Sequence, residues 1–109
     1  MWEIKETSPS GDLRHGHTVV GQTPVPLSSV SVKLVRGILL RTPGPDDFTT
    51  PNVDAVYVGR KGVTADTDPN TGGMPMLPGS AIELPLEDPS EVYVVTSTAT
   101  PQDIAWMGV

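Results

Sequence analysis

From His17 onward, no apolar run in this chain continues for long before a turn former interrupts it. The runs read "HTVVG", "PVPLSS", "VKLVRGILLRTPG", "DAVYVG", "GSAIELPLEDPS", "EVYVVTS" and "DIAWMGV". An amphipathic helix needs an apolar stripe that recurs every three to four residues over ten or more positions, and no stretch here supplies one. Short β-branched runs bounded by Gly, Pro, Ser and Asp are the pattern of an all-β chain. Eleven Gly and twelve Pro fill about a fifth of the 109 positions, against an average of about 12%, so turns are frequent. The apolar runs between them mark a folded domain and not a disordered tail.

The runs predict strands over 16–20, 24–28, 31–41, 53–59, 80–86, 91–97 and 103–108, with short extended pieces at 2–6 and 62–64. Alternation assigns faces. Ile82, Leu84 and Leu86 share one side of their strand, while Glu83 marks the other as wet. Ile104/Trp106 and Ala105/Met107 make both faces of the last strand apolar, which places it centrally or at an interface. The phase breaks at Val35-Arg36, so a bulge or kink near Gly37 is expected within 31–41. Pro78-Gly79 is a turn that launches 80–86, and Asp88-Pro89-Ser90 is a return that sets 80–86 and 91–97 side by side as an antiparallel pair. "DPSEV" and "TPQDI" each have room for one helical turn but read as turns. A chain of this length makes one small core. The fold class is therefore all-β: a single small β-sandwich or jelly-roll-like barrel of about seven to nine short, mostly antiparallel strands. Residues 1–14 form an N-terminal arm, and 15–109 form the domain.

Seven basic and thirteen acidic side chains give a formal charge of −6. The basic residues are scattered, so no cationic groove for nucleic acid is expected. The acidic surface suits solubility or docking on a basic protein. Without cysteine, disulfides and thiolate sites are excluded. The first residues lack a basic start followed by an apolar run, and the longest apolar runs fall far short of a membrane span.

Four constellations have possible chemistry. "DTDPNTGG" places Asp66, Asp68 and Asn70 at alternate positions, a spacing at which oxygen ligands can surround calcium. Counted from Asp66, however, Thr71 and Leu77 stand where a helix–loop–helix calcium site needs Gly and Glu, so a turn is the favoured reading. His15 and His17 share a face if extended and would make half of a metal site, but no third ligand follows. Tyr57 and Tyr93, with Trp106, could stack a sugar or base. Ser28, Ser29 and Ser31 lack a context that activates a nucleophile. No enzymatic role and no cofactor is expected.

The ordered set "TVVGQTPVPLSS", "VKLVRGILLR", "DAVYVG" with "GVTADT", "MPMLPGSAIELPLEDPSEVYVVTST" and "DIAWMGV" resembles the small all-β structural proteins of tailed bacteriophages and prophages. The resemblance covers residues 17–109. Loops 42–52 and 60–76 are longer than the pattern. The resemblance implies a virion component, foremost a decoration (cement) protein that bridges major capsid protein subunits on the capsid exterior and is assembled in the host cytoplasm. By analogy it implies a homo-oligomer, with a trimer favoured. It transfers no catalytic residue. Trp2 and Ile4 in the arm, and Trp106 and Met107 in the last strand, are the interface candidates. A tail, neck or head-fibre station is the alternative within the virion. A small carbohydrate-binding module is the alternative outside it.

Overall fold

Ile38 and Leu40 are buried while Leu39 and Arg41 face solvent, the two-residue alternation that a half-buried strand requires. The same rhythm builds the rest of the protein. A computed structural model describes residues 13–45 and 50–109. The arm residues 1–12, including the extended piece expected at 2–6, lie outside the described residues. So do residues 46–49.

Eight strands are described: β1 (Arg14–Val20), β2 (Val25–Pro26), β3 (Ile38–Arg41), β4 (Val56–Gly59), β5 (Met74–Met76), β6 (Ala81–Leu84), β7 (Tyr93–Val95) and β8 (Gln102–Gly108). They form two four-stranded sheets. Sheet A has the order β1-β8-β3-β6, and sheet B the order β2-β7-β4-β5. Every pairing between these strands is antiparallel. The fold is a small β-sandwich, as the alternation predicts.

The inward faces meet in one core. Sheet A contributes Val20, Ile38, Leu40, Ile104 and Trp106; sheet B contributes Val56, Val58, Met76 and Val94. Leu27, Val32, Leu34 and Val92 close it from the connections. Fully burying one such side chain stabilises by about 1.5–3 kcal/mol relative to exposure, so this cluster is the main source of stability. β8 lies between β1 and β3, in the central position expected from its two apolar faces.

Four expectations are corrected. First, residues 31–37 are not strand. Gly37 has φ +109°, and a Cβ there would stand 2.6 Å from the Leu84 carbonyl oxygen. The chain does not kink within a strand; it joins the sheet only after Gly37. Before it, the Leu34 amide donates to Glu87 O, and those of Val35 and Arg36 donate to Val109 O. Second, β6 and β7 do not pair. β6 is an edge of sheet A and β7 is internal to sheet B. A 3-10 turn at Pro89–Glu91, capped by Asp88, carries the chain across the sandwich. Third, β5 is an additional strand within the long 60–76 loop. It carries Pro75, which lacks an amide donor and is tolerated because β5 is an edge. Leu86, expected inward with Ile82 and Leu84, is exposed, because β6 has ended at Leu84.

The Pro78-Gly79 turn is as expected. The Ser80 amide donates to Leu77 O at 3.0 Å, and Gly79 takes φ +82°, as a type II turn demands. Thr42 secures it: its hydroxyl donates to Leu77 O at 2.7 Å and accepts from the Ser80 amide at 3.1 Å.

Candidate functional site

The outward phase of sheet A is the most distinctive surface of the domain. Alternation turns His15, His17 and Val19 outward on β1, Asp103, Ala105 and Met107 on β8, Leu39 and Arg41 on β3, and Ala81 and Glu83 on β6. The strand register places Met107 beside both His15 and Leu39. Val19, Leu39 and Met107 are exposed, as is Leu13 just before β1. At the Leu13 end the face deepens into a groove of about 460 Å³, whose wall includes Leu13, Arg36, Leu39, Leu84, Pro85 and Met107. Polar side chains are interspersed among them: His15, His17, Arg41, Glu83 and Asp103 share the face. His17 Nε2 lies 3.3 Å from Asp103 Oδ1, both partly in solvent, a surface contact worth at most about 1 kcal/mol. Of the sequence-based interface candidates, Met107 lies on this face. Trp106 points the other way, is 6% exposed and belongs to the core, so its indole is not offered to a partner. Trp2 and Ile4 lie outside the described residues. Sequence reasoning passed over Leu39, although its place between inward Ile38 and Leu40 marked it as outward.

The "DTDPNTGG" segment is a self-bonded loop. Asp66 Oδ1 accepts from the Thr64 hydroxyl at 2.8 Å and the Asp68 amide at 2.9 Å. Asp68 Oδ1 accepts from the amides of Asn70 (2.8 Å) and Thr71 (3.1 Å). These backbone donors, Asn70 foremost, hold the Asp68 carboxyl below its ordinary value. The base of the loop is an isolated parallel bridge between Thr64 and Gly72, at the end of the extended piece expected over 62–64. The carboxylates therefore organise a turn through their own backbone, which is what Asp and Asn do in such positions. His15 and His17 do share an exposed face. Among the described residues, no three His, Cys, Asp or Glu side chains are grouped so as to hold a metal.

Tyr57 and Tyr93 are half-buried on the outward side of sheet B. Tyr57 stands opposite Val95 and Gly59 opposite Tyr93, so the two rings are diagonal neighbours. The 60–73 loop folds back over this side. Val63 is 3% exposed, and a Cβ at Gly59 or Gly73 would lie 2.7 or 2.6 Å from its methyl carbon. With Trp106 turned inward, the three aromatics do not form one platform.

Ser31 has a partner that the sequence did not reveal. Its hydroxyl donates to Asp88 Oδ2, while Asp88 Oδ1 accepts from the Val32 amide (3.1 Å), the Ser90 amide (2.9 Å) and the Ser90 hydroxyl (2.8 Å). The Ser31 hydroxyl foremost holds the Asp88 carboxyl far below the ordinary carboxylate range; burial, next in size, opposes it, and the Ser90 and Val32 donors add to the lowering. Asp88 is a structural clamp between the 31–32 segment and the sheet-to-sheet turn.

A second clamp is buried. Gln102 is 1% exposed; its Oε1 accepts from the amides of Val53 (2.8 Å) and Asp54 (3.0 Å). Its Nε2 donates to Thr100 O (2.8 Å) and Pro101 O (3.1 Å). Asn52 mimics a strand neighbour: Nδ2 donates to Asp103 O, and Oδ1 accepts from the Asp103 amide, each at 2.8 Å. These polar groups are engaged by backbone.

No protein-family model matches the chain, and searches of curated proteins and of solved structures find no match.

Proposed function

We propose that this protein is a non-enzymatic structural component of a tailed-bacteriophage virion, foremost a decoration protein that binds the capsid exterior as a homo-oligomer. The observation that carries the reading is the outward face of sheet A, where Val19, Leu39 and Met107 are exposed, with exposed Leu13 just before β1. Such an exposed apolar surface marks an interaction site. Two further features support it. Among the described residues, the well-connected polar side chains Asp88, Gln102, Thr42 and Asn52 bond chiefly to the backbone of neighbouring segments and hold the sandwich together. The ordered strand and turn motifs also resemble phage structural proteins.

The mechanism is binding energy without turnover. An oligomer that touches neighbouring capsid subunits adds contact area that must be separated before the shell can open. A stable contact needs about 800 Å² per partner. The test is protein copy number in purified particles of a phage encoding the chain. On the order of hundreds of copies, matching the capsid lattice symmetry, supports decoration. About a dozen or fewer places the protein at the tail, neck or head-fibre base. A particle without it overturns the virion reading.

A further inference from the structure

We infer that β1 pairs edge to edge with β1 of a second copy of this chain, antiparallel about a two-fold axis at His17, so that the two A sheets join into one. The inference specifies the contact within the homo-oligomer and rests on that part of the proposed function alone; it does not require a virion.

Four observations lead to it. The first is the direction of the β1 backbone. Along an antiparallel strand, successive residues turn both N–H and C=O toward one neighbour and then toward the other. Asp103 of β8 gives both groups to Asn52. Asn52 lies on the β3 side, since its own amide donates to Pro43 O just past β3. The Thr42 amide, which continues the β3–β6 ladder, donates to Ser80 O. Leu39 and Arg41 therefore bond the other way, to Met107 and Ala105. Asp103, Ala105 and Met107 thus turn toward β3, which leaves Gln102, Ile104, Trp106 and Gly108 to bond β1. Their register partners are Val20, Thr18, Gly16 and Arg14. The N–H and C=O groups of His15, His17 and Val19 point away from β8, to the open edge of sheet A. Among the described residues, none donates to or accepts from them.

The second is the absence of a guard. Natural edge strands are blunted by shortness, proline, charge or a bulge. The other three edges have such features. β2 is two residues long and contains Pro26, β5 contains Pro75, and β6 stops after four residues and carries Glu83. β1 runs for seven residues without proline, in unbroken register with β8.

The third is self-complementarity. The open groups lie at 15, 17 and 19, symmetric about 17. A two-fold axis there sets His15 opposite Val19 of the second copy, His17 opposite His17, and Val19 opposite His15. All three residues of each copy then exchange both bonds. A shift of two residues either way leaves one of the three without a partner in the strand. Exposed Val19 gains a covering side chain.

The fourth is charge. The chain carries −6, so two copies repel over most approaches. β1 has Arg14, His15 and His17 and no carboxylate, so this edge admits a second copy with little repulsion.

The experiment uses the pure full chain. Seven residues a side is a small contact beside the usual count of about 20–30, so native mass is followed from micromolar to millimolar concentration. A monomer–dimer equilibrium is expected. His17→Pro should raise the dissociation constant about 10-fold or more, because it removes both central bonds. It should stay folded by tryptophan fluorescence, since the His17 N–H does not serve the β1–β8 ladder. Amide exchange of the unaltered chain reads the same contact without a variant. His15, His17 and Val19 should gain protection as concentration rises, while Gly16, Thr18 and Val20 stay protected throughout. The chain has no cysteine, so His17→Cys reads the axis: its two thiols should oxidise to a linked dimer, with Cα atoms about 5.5 Å apart, and Leu39→Cys should not. A chain monomeric at millimolar concentration, a trimer, or a dimer that His17→Pro leaves intact overturns the inference. So does protection of His15, His17 and Val19 in the dilute monomer, which means that the edge is covered within one chain. Particle copy number plays no part in these readouts, so either proposal can fail without the other.

Discussion

The indole of Trp106 occupies the space that a side chain at Gly16 would need. The two residues are register partners on β8 and β1. A Cβ on Gly16 would stand 2.5 Å from Trp106 Nε1 and 2.9 Å from Cε2. The largest core side chain thus fits because its neighbour has none, and Nε1 is buried there without a hydrogen-bond partner among the described residues. Gly16→Ala should therefore destabilise the domain by about 1–3 kcal/mol, the range for overpacking. Urea unfolding checks it; an unchanged midpoint would show that the indole can turn aside freely.

Gln102 is the next test. Gln102→Leu keeps the approximate volume but leaves the amides of Val53 and Asp54 without their acceptor. The expected loss is about 1–3 kcal/mol, the cost of leaving donors at a partly buried site without their acceptor. Asn52→Ala should cost a comparable amount. Because both residues hold the 52–54 segment to the start of β8, the double variant should lose less than the two single losses combined. Strict additivity in a double-mutant cycle would refute this shared role.

Asp88 predicts a pH dependence. Its folded pKa lies below the unfolded value, so its contribution is whole above the unfolded value of about 3.9. It erodes as pH falls from there toward the folded value. Asp88→Ala should lower stability by about 1–2 kcal/mol at neutral pH, as removal of a cap does. The gap between wild type and variant should narrow below about pH 4. Ser31→Ala removes the strongest donor and should move the Asp88 carboxyl carbon titration, followed by NMR, to higher pH.

The "DTDPNTGG" loop predicts indifference to calcium. A site with a dissociation constant of about 0.1 mM would stabilise by about 2.7 kcal/mol at 10 mM calcium, several degrees of melting temperature for a domain of this size. With Asp66 and Asp68 engaged by Thr64, Asn70, Thr71 and the Asp68 amide, calcium and chelator should give equal melting temperatures. A calcium-dependent rise would show that the ion displaces these bonds.

Legibility differed from one element to another. β8 was readable within a residue because the apolar run Ile104–Met107 is bounded by Pro101 before it and Gly108 after it. β5 was not, since "MPM" contains no β-branched residue and carries a proline; its strand character comes from pairing with β4. Trp106 and Met107 read equally as interface candidates, and only Met107 lies outward, because alternation separates two faces without saying which meets the other sheet. The Asp88–Ser31 clamp joins residues 57 positions apart, and local spacing carries no record of such a partner.

By itself, the sequence determined the all-β class, the short strands, the alternation of faces and the Pro78-Gly79 turn. Each of these follows from local causes: side-chain sterics, a fixed proline φ and the freedom of glycine at positive φ. Only the tertiary structure decided that β6 and β7 belong to opposite sheets, that residues 31–37 leave the strand, and that Trp106 turns inward over Gly16. Backbone hydrogen bonds between strands are nearly indifferent to side-chain identity. The choice of partner is made by which apolar faces can close one core together, and that is a property of the whole chain.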